Sequence, residues 1–245
     1  MSDDELDISI PEETSATLLF ELQKLMINEK LSPEPLQHQQ ALISQIQENI
    51  KEQKKKSKAL STNIQNATTV NLINLEIQRT EYMLKSYLRT RIQKLEKYAV
   101  YYENRLAELV DKCGEDLDGN NLQEDDKIDF EFITNNFTDE ELDFIRETSM
   151  NDKNLMEKVV VDNVPNCEDL GLRDDLREKL GTRYLPPDLD KYSFAEILKA
   201  EEGEELEVQE INGNLTLVTA KKGDLFILPY RSIKEKVDKG EAILY

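Results

Sequence analysis

The sequence lacks most of the side chains on which catalytic and metal sites are built. Its 245 residues include no tryptophan, one histidine and two cysteines. The histidine, His38, lies among the amides of Gln37–Gln40, where we expect an ordinary surface side chain. Because Ser-His-Asp catalysis, Cys-His catalysis and histidine-containing metal sites would all depend on this one residue, the sequence argues against an enzyme.

Motifs that bind phosphate or metal are also missing. Neither a Walker A loop nor a G-x-G-x-x-G loop occurs, and we expect no cofactor. The acidic run Asp116–Asn120 has its glycine in the wrong place for a calcium loop, so no metal site is expected either. Cys113 and Cys167 lie far apart in sequence and are expected to be reduced thiols of a cytosolic or nuclear protein.

Long apolar runs and an excess of positive charge are absent as well. No stretch approaches the roughly 18 apolar residues of a membrane-spanning helix, and the acidic start Met1–Asp7 does not resemble a signal peptide, so we expect no membrane association. The net charge is −20, from 51 acidic and 31 basic residues. Such an excess opposes contact with phosphate backbones, and strong direct binding to nucleic acid is not expected.

What remains is a chain rich in helix-forming residues, with only 8 glycines and 7 prolines. The predicted fold is mainly α, with an N-terminal helical bundle that contains one long helix, followed by a small β-rich C-terminal domain. The expected divisions are a mobile acidic tail over 1–13, a helical domain over 14–160, a linker over 161–185 and the β-rich domain over 186–245.

The long helix is the main feature of the predicted bundle. It is expected from about Val70 to about Asp111, since neither glycine nor proline interrupts this stretch. At 1.5 Å per residue it would be about 60 Å long, more than the diameter of a compact domain of this size, so its ends should need partners. Apolar residues follow one another at steps of three and four along it, which predicts a buried stripe of Leu84, Leu88, Ile92, Leu95, Ala99, Tyr102, Leu106 and Leu109.

The other elements follow from shorter patterns. Two helices precede the long one, from Thr14 or Ser15 to about Asn28 and from about Leu36 to Lys58, and Glu115–Asp129 should be a loop. Thr138–Glu141 has the capping pattern of a helix that runs to about Lys158. Short apolar runs then predict strands and a late helical turn, listed in chain order as Tyr192–Leu198, Leu206–Val208, Leu215–Thr219, Leu225–Leu228, the turn Ser232–Lys239 and Ala242–Tyr245.

Two groups of basic residues depart from the overall negative charge. The lysines of Lys51–Lys58 fit a solvated helix end better than a nucleic-acid site. Arg89, Arg91, Lys94 and Lys97 stand beside tyrosines on the long helix, a combination enriched at protein interfaces. These four residues could equally pair with the acidic segment of the same chain, residues 113–165, and the two possibilities are compatible.

The long helix also carries a recognisable sequence. Its run Glu76–Tyr98, EIQRTEYMLKSYLRTRIQKLEKY, resembles the signature helix of the SLD-five subunits of the GINS replication complex. Four other stretches are similar to that family in the same order, namely Ile27–Glu34, Phe137–Leu142, Pro187–Phe194 and Tyr230–Ile233 with Gly240–Leu244. Pro229 departs from the family, which has a basic residue before the tyrosine.

The resemblance implies a function without catalysis. It implies a structural subunit, or scaffold, of a GINS heterotetramer in the nucleus, required for the initiation and elongation of chromosomal DNA replication. The partners it implies are three sister GINS subunits, and the MCM ring with one further factor, which together form the CMG helicase at the replication fork. A nucleic-acid-binding adaptor that uses the basic helix patches is the alternative.

Candidate interface residues follow from the interface-prone residue types and from the resemblance. For partner contacts we select, on the long helix, Tyr82, Tyr87, Leu88, Arg89, Arg91, Lys94, Lys97 and Tyr98, and in the β-rich domain Tyr230, Arg231 and Ile233. In some family members the N-terminal tail docks a replisome hub protein. Here the run Asp4–Ile10 has a suitable mixture of acidic and apolar residues, and we select its apolar Leu6, Ile8 and Ile10 for that contact.

Overall fold

The computed structural model describes residues 12–62, 66–113, 123–156, 158–159, 186–199, 205–209 and 215–245. Within these residues five helices come first and a β-rich region follows, which confirms the predicted order of a helical part before a β-rich part, whereas the fourth helix was not predicted. The helices are α1 Glu12–Leu31, α2 Gln40–Leu60, α3 Ala67–Cys113, α4 Glu124–Asn136 and α5 Asp139–Met156. No helix in the described ranges is long and apolar enough to cross a membrane.

The first half of α3 packs against α1 and α2. Its buried Ile77, Leu84 and Tyr87 meet Leu22 of α1 and a row of isoleucines on α2. The α2 row is Ile43, Ile46 and Ile50, which repeats at steps of three and four and therefore lies on one helical face. At 1.5 Å per residue, this helix of 47 residues is about 70 Å long. Helices α1 and α2 therefore cover only part of its length.

The second half of α3 packs against α4 and α5. Leu95, Ala99, Tyr102 and Leu109 face a cluster that includes Ile133 and Ile145. The predicted loop over Glu115–Asp129 is wrong for its last residues, since α4 already begins at Glu124. Contacts with α3 hold the start of α4 in place, because Asp126 accepts hydrogen bonds from Arg105 at 2.8 Å and from Lys112 at 2.7 Å.

The start of α5 confirms the capping pattern read from the sequence. The Glu141 amide donates to the Thr138 hydroxyl at 3.3 Å, and the Thr138 amide donates to the Glu141 carboxylate at 3.1 Å. These reciprocal bonds satisfy two backbone donors that a helix start leaves open. The helix ends at Met156, close to the predicted Lys158.

The described part of the β-rich region contains two small antiparallel sheets and one helix. Its elements are β1 Tyr192–Ile197, β2 Glu205–Gln209, β3 Leu215–Thr219, β4 Leu225–Pro229, α6 Tyr230–Asp238 and β5 Ala242–Leu244. Strand β1 lies between β4 and β5, and β2 pairs with β3. The predicted strands are confirmed, while the short helix expected at Asp174–Leu180 lies outside the described residues.

Helix α1 closes one edge of the larger sheet. The Asn28 side chain donates to the Ala242 carbonyl at 3.2 Å and accepts from the Leu244 amide at 2.9 Å, so one amide occupies the place of a neighbouring strand on β5. Leu31 and Leu36 pack into the core of the β-rich region. The β-rich region therefore rests directly on the helical bundle.

Candidate subunit interface and the charge cluster behind it

Exposed residues of α3 form a stripe opposite its buried face. Leu72, Leu75 and Tyr82 are 63%, 61% and 70% exposed, and Arg79 between them is also exposed. Their spacing of three, four and three residues places all four on one side of the helix. We call these four residues the α3 outer stripe. Exposed leucines in a row mark a contact surface, because isolated ones are common whereas aligned ones are not.

The predicted interface residues of α3 divide between the two faces. Tyr82, Arg89 and Lys97 are exposed, and the Lys97 ammonium lies 4.7 Å from the centroid of the Tyr98 ring. Tyr87 and Arg91 are each 1% exposed and belong to the interior. The remaining residues, Leu88, Lys94 and Tyr98, lie between these extremes.

Arg91 is the centre of a buried charge cluster. Its guanidinium binds both carboxylate oxygens of Glu141 and the carbonyls of Leu36 and Asn136, and one nitrogen lies 3.7 Å from Glu29. Burial alone would lower the pKa of Arg91, but the hydrogen bonds that its guanidinium donates to the Glu141 carboxylate reverse the direction and raise the pKa. Arg91 therefore stays charged and joins α3 to α5 and to the segment after α1.

Lys94 extends the cluster by one helical turn. Its ammonium lies 3.2 Å from Glu29, donates to the Ser32 hydroxyl at 2.6 Å and donates to the Glu34 carbonyl at 2.9 Å. Burial lowers the pKa of Lys94, and the carboxylate of Glu29 opposes that shift. The expected pairing with the acidic segment is thus met by Arg91, which pairs with Glu141, whereas Lys94 pairs with Glu29 of α1.

Glu34 carries the cluster into the β-rich region. Its carboxylate lies 2.8 Å from the ammonium of Lys234 on α6. Burial raises the pKa of Glu34, and Lys234 partly offsets the effect. The Lys234 ammonium also lies 4.5 Å from the centroid of the Phe132 ring on α4, so one side chain touches both parts of the chain.

His38 differs from the expected surface histidine. Its side chain is 10% exposed, with one ring nitrogen 3.8 Å from Glu141 and the other 2.8 Å from the Gln40 side chain. The ring stacks against Tyr87 at a centroid distance of 6.4 Å. No local pattern indicates this position, because Tyr87 and Glu141, which lie against His38, come from α3 and α5.

The three predicted residues of the β-rich domain also divide. Tyr230 and Ile233 are 0% exposed and fill the core of this region, and burial raises the pKa of the Tyr230 hydroxyl. Arg231 is exposed and lies 3.0 Å from Asp190. Only Arg231 of these three presents its side chain to solvent. The tail residues Leu6, Ile8 and Ile10 lie outside the described residues.

The structure adds two observations on binding chemistry. Within the described ranges, no three histidine, cysteine or acidic side chains gather in a way that could hold a metal ion. The lysines of Lys51–Lys58 are exposed, and Lys54 forms an ion pair with Glu81 of α3. On the helical bundle, the candidate contact surface is the α3 outer stripe, and the charge cluster lies further along the same helix.

Comparison with family models gives two matches in chain order. Residues 41–160 match the GINS complex protein helical bundle domain, Sld5, and residues 187–244 match the C-terminus of the DNA replication complex GINS protein SLD5. The first match covers α2 to α5, and the second covers β1 to β5. Together they include the α3 outer stripe and most of the charge cluster.

Curated relatives carry the same name in distant eukaryotes. The DNA replication complex GINS protein SLD5 of Homo sapiens is 24% identical over 233 residues, which cover 93% of this chain and 88% of that protein. The Arabidopsis thaliana protein is 24% identical over 226 residues, covering 90% and 87%. A shorter match to the Dictyostelium discoideum protein is 34% identical over 93 residues, covering 38% and 43%.

Proposed function

The chain belongs to the SLD5 family of GINS complex proteins, and from that premise we propose that it is a non-catalytic structural subunit of a GINS complex in DNA replication. Its partners would be three sister subunits in a heterotetramer. That tetramer would join the MCM ring and one further factor in the CMG helicase, and would act in the nucleus during initiation and elongation. The domain boundaries at 14–160 and 186–245 belong to the same proposal.

The α3 outer stripe is the observation that carries the proposal. An amphipathic helix normally has one apolar face, and α3 has a second one at Leu72, Leu75 and Tyr82. Covering a leucine completely contributes about 1.5–3 kcal/mol relative to leaving it exposed. Burial of the three apolar side chains would stabilise a neighbouring helix that packs along the stripe. Arg79 could form a hydrogen-bonded ion pair with the same helix.

Interior and exterior residues have separate roles in this proposal. Tyr82, Arg89 and Lys97 would contact a sister subunit because they are exposed on α3. Arg91, with Lys94 beside it, would hold α3 rigid against α5 and against the segment after α1. A helix held in place by such ion pairs loses little conformational freedom when a partner binds.

Co-expression with the three sister subunits tests the proposal. We expect a particle with one copy of each subunit, and we expect Leu75→Lys combined with Tyr82→Lys to abolish it, because two lysines would replace the apolar contact. Val110→Lys is the matched control, since Val110 is 43% exposed on the same helix but lies far from the stripe. A chain that stays monomeric beside its sisters, or a stripe variant that assembles normally, would refute the assignment.

The nucleic-acid adaptor remains a second candidate because the lysines of Lys51–Lys58 are exposed on α2. It predicts DNA binding that weakens steeply with salt, with a slope set by the number of phosphate contacts. No binding at low salt would eliminate it. The contact between a replisome hub protein and Leu6, Ile8 and Ile10 is likewise a proposal, which deletion of residues 1–11 would test.

A further inference from the structure

The larger sheet has an apolar face that is exposed over β1 and β4, whereas Ile243 of β5, paired with Glu196 on the same face, is 6% exposed. One face packs on the core of the β-rich region through Ala195, Ile197 and Leu228, which are 0%, 0% and 7% exposed. The alternate residues of β1 and β4, with the residue after β5, point the other way. This outer sheet patch consists of Tyr192, Phe194, Leu225, Ile227 and Tyr245, whose exposures are 50%, 56%, 72%, 58% and 58%.

The five side chains form one surface. Strand pairing sets Phe194 opposite Ile227, and sets Leu225 opposite Glu196 two residues further along β1. The Tyr245 amide donates to the Phe194 carbonyl at 2.8 Å, which places Tyr245 on the other side of Phe194. Side chains at paired positions lie about 5 Å apart. Phe194 is therefore the centre of a continuous apolar patch.

The area of the patch restricts what can cover it. A large side chain presents on the order of 200 Å², so five that are half exposed or more present roughly 500–600 Å². That is at the upper end of the apolar patches found on monomers, yet less than the roughly 800 Å² per partner of a standard stable interface. Two copies joined by this patch alone would fall short of a stable dimer.

The dimensions fit one short helix. Three strands at about 4.8 Å spacing and five residues at about 3.3 Å give a surface near 14 by 17 Å. Three turns of helix have about that length, and a helix on a sheet is a common way to cover an apolar face. The covered face already has α6 packed against it, so a second helix on the outer face would complete the layers.

The negative charge on this face indicates which charged residues a covering helix would carry beside its apolar stripe. The outer face carries one carboxylate, Glu196, which accepts a hydrogen bond from the Tyr245 hydroxyl at 2.7 Å. The whole chain has a net charge of −20. A covering element would therefore be favoured by lysine or arginine beside its apolar stripe. Single-stranded nucleic acid fits less well, because Glu196 would repel phosphate and the aliphatic Leu225 and Ile227 offer no ring for stacking.

We propose that the outer sheet patch receives an amphipathic helix with a basic flank from a sister GINS subunit, as a contact separate from the α3 outer stripe. The inference rests on the proposed assembly with sister subunits. It concerns a different surface, since the patch belongs to the β-rich region and the stripe to α3. Each surface can therefore be changed without the other.

A photo-cross-linking amino acid at Leu225 in the co-expressed complex tests the occupant. We expect mass spectrometry to find a cross-linked peptide from a sister subunit that combines apolar residues with lysine or arginine. A cross-link to a second copy of this chain, or an assembled complex that gives no cross-link, would overturn the proposal. A single-stranded oligonucleotide whose binding is lost in Phe194→Lys would overturn it as well.

Variants measure the strength of the contact. Ile227→Lys and Glu196→Lys should each raise the dissociation constant of the complex at least tenfold, and Glu196→Gln should have a smaller effect. Leu217→Lys is the matched control, because Leu217 is 61% exposed on β3 of the other sheet. If the patch variants assemble with normal affinity while Leu75→Lys with Tyr82→Lys does not, the sheet proposal fails and the proposed function stands. Circular dichroism of each purified complex would show that the fold is kept.

Discussion

Replacing Arg91 with methionine removes the centre of the charge cluster while keeping most of the apolar stem. Arg91 is 1% exposed, and its guanidinium bonds both oxygens of Glu141 and two backbone carbonyls. Methionine leaves the Glu141 carboxylate, whose side chain is 16% exposed, without its main partner. The neighbouring Glu29 still has the Lys94 ammonium at 3.2 Å, so its carboxylate is less destabilised than that of Glu141.

The magnitude follows from these partners. Breaking a buried ion pair by removing one member costs about 3–5 kcal/mol, because the other charge stays buried. The two carbonyls would add to the loss if water did not reach them, so we take that range as the expected destabilisation. For a chain of 150–250 residues each kcal/mol lowers the Tm by about 2–4 °C. The expected fall is therefore about 6–20 °C.

Thermal unfolding of the purified, co-expressed complex measures this fall. Arg146→Met is the control, because Arg146 is an exposed arginine of α5 that pairs with Asp143 on its own helix, and its loss should change stability by less than about 0.5 kcal/mol. In a double-mutant cycle, Glu141→Gln should cost much less in the Arg91→Met background than alone. If Arg91→Met shifted the Tm no more than Arg146→Met, the charge cluster would not be what joins α3 to α5.

Three further changes test other parts of the structure. Gly240 has φ of 70°, and an added Cβ would lie 3.1 Å from the Lys24 ammonium, so Gly240→Ala should lower the Tm of the complex by a few degrees, whereas an unchanged Tm would contradict a strained turn. Asn28→Ala leaves two groups of β5 without their partner and should cost about 2–4 kcal/mol, seen as faster proteolysis within the β-rich region. Burial would raise the pKa of Glu141, but hydrogen bonds from Arg91 lower it below 4.5. The stability that Glu141 contributes is thus present above about pH 4.5 and is lost as the pH falls through the lower folded pKa, so Glu141→Gln should flatten acid unfolding curves in that range.

Local patterns predicted the elements well. The long helix was expected over Val70–Asp111 and extends over Ala67–Cys113, because an uninterrupted run of helix formers and a regular stripe are both visible in the sequence. The Thr138–Glu141 cap was also visible, since its two bonds join residues three apart. Strands β1 to β5 were each predicted from short apolar runs.

The buried face of α3 was predicted only in part. The expected stripe included Ile92, which is 51% exposed, and missed Arg91, which takes the interior position between Tyr87 and Leu95. A charged residue is assigned to the surface unless its partners are known. The acidic partners of Arg91 are Glu29 and Glu141, and no local pattern connects residues so far apart in sequence.

The interface residues show the same limit. Tyr230 and Ile233 were selected from the resemblance, yet the structure buries both in the core of the β-rich region. Of the α3 outer stripe only Tyr82 was selected, although the spacing of Leu72, Leu75 and Tyr82 could have been read from the sequence as a second helical face. Only the packing of α1 and α2 shows which of the two faces is left open.

The two hydrogen bonds between the Asn28 side chain and the backbone of β5 have a consequence for protein synthesis. Asn28 and Ala242 are 214 positions apart, so a ribosome that adds about 5–20 residues per second makes them roughly 10–40 s apart. During that interval α1 exists without the strand it will hold. The contact between the two ends of the fold therefore forms late in translation. Sister subunits that bind α3 earlier would meet a nascent chain whose long helix is complete while its β-rich region is still unmade.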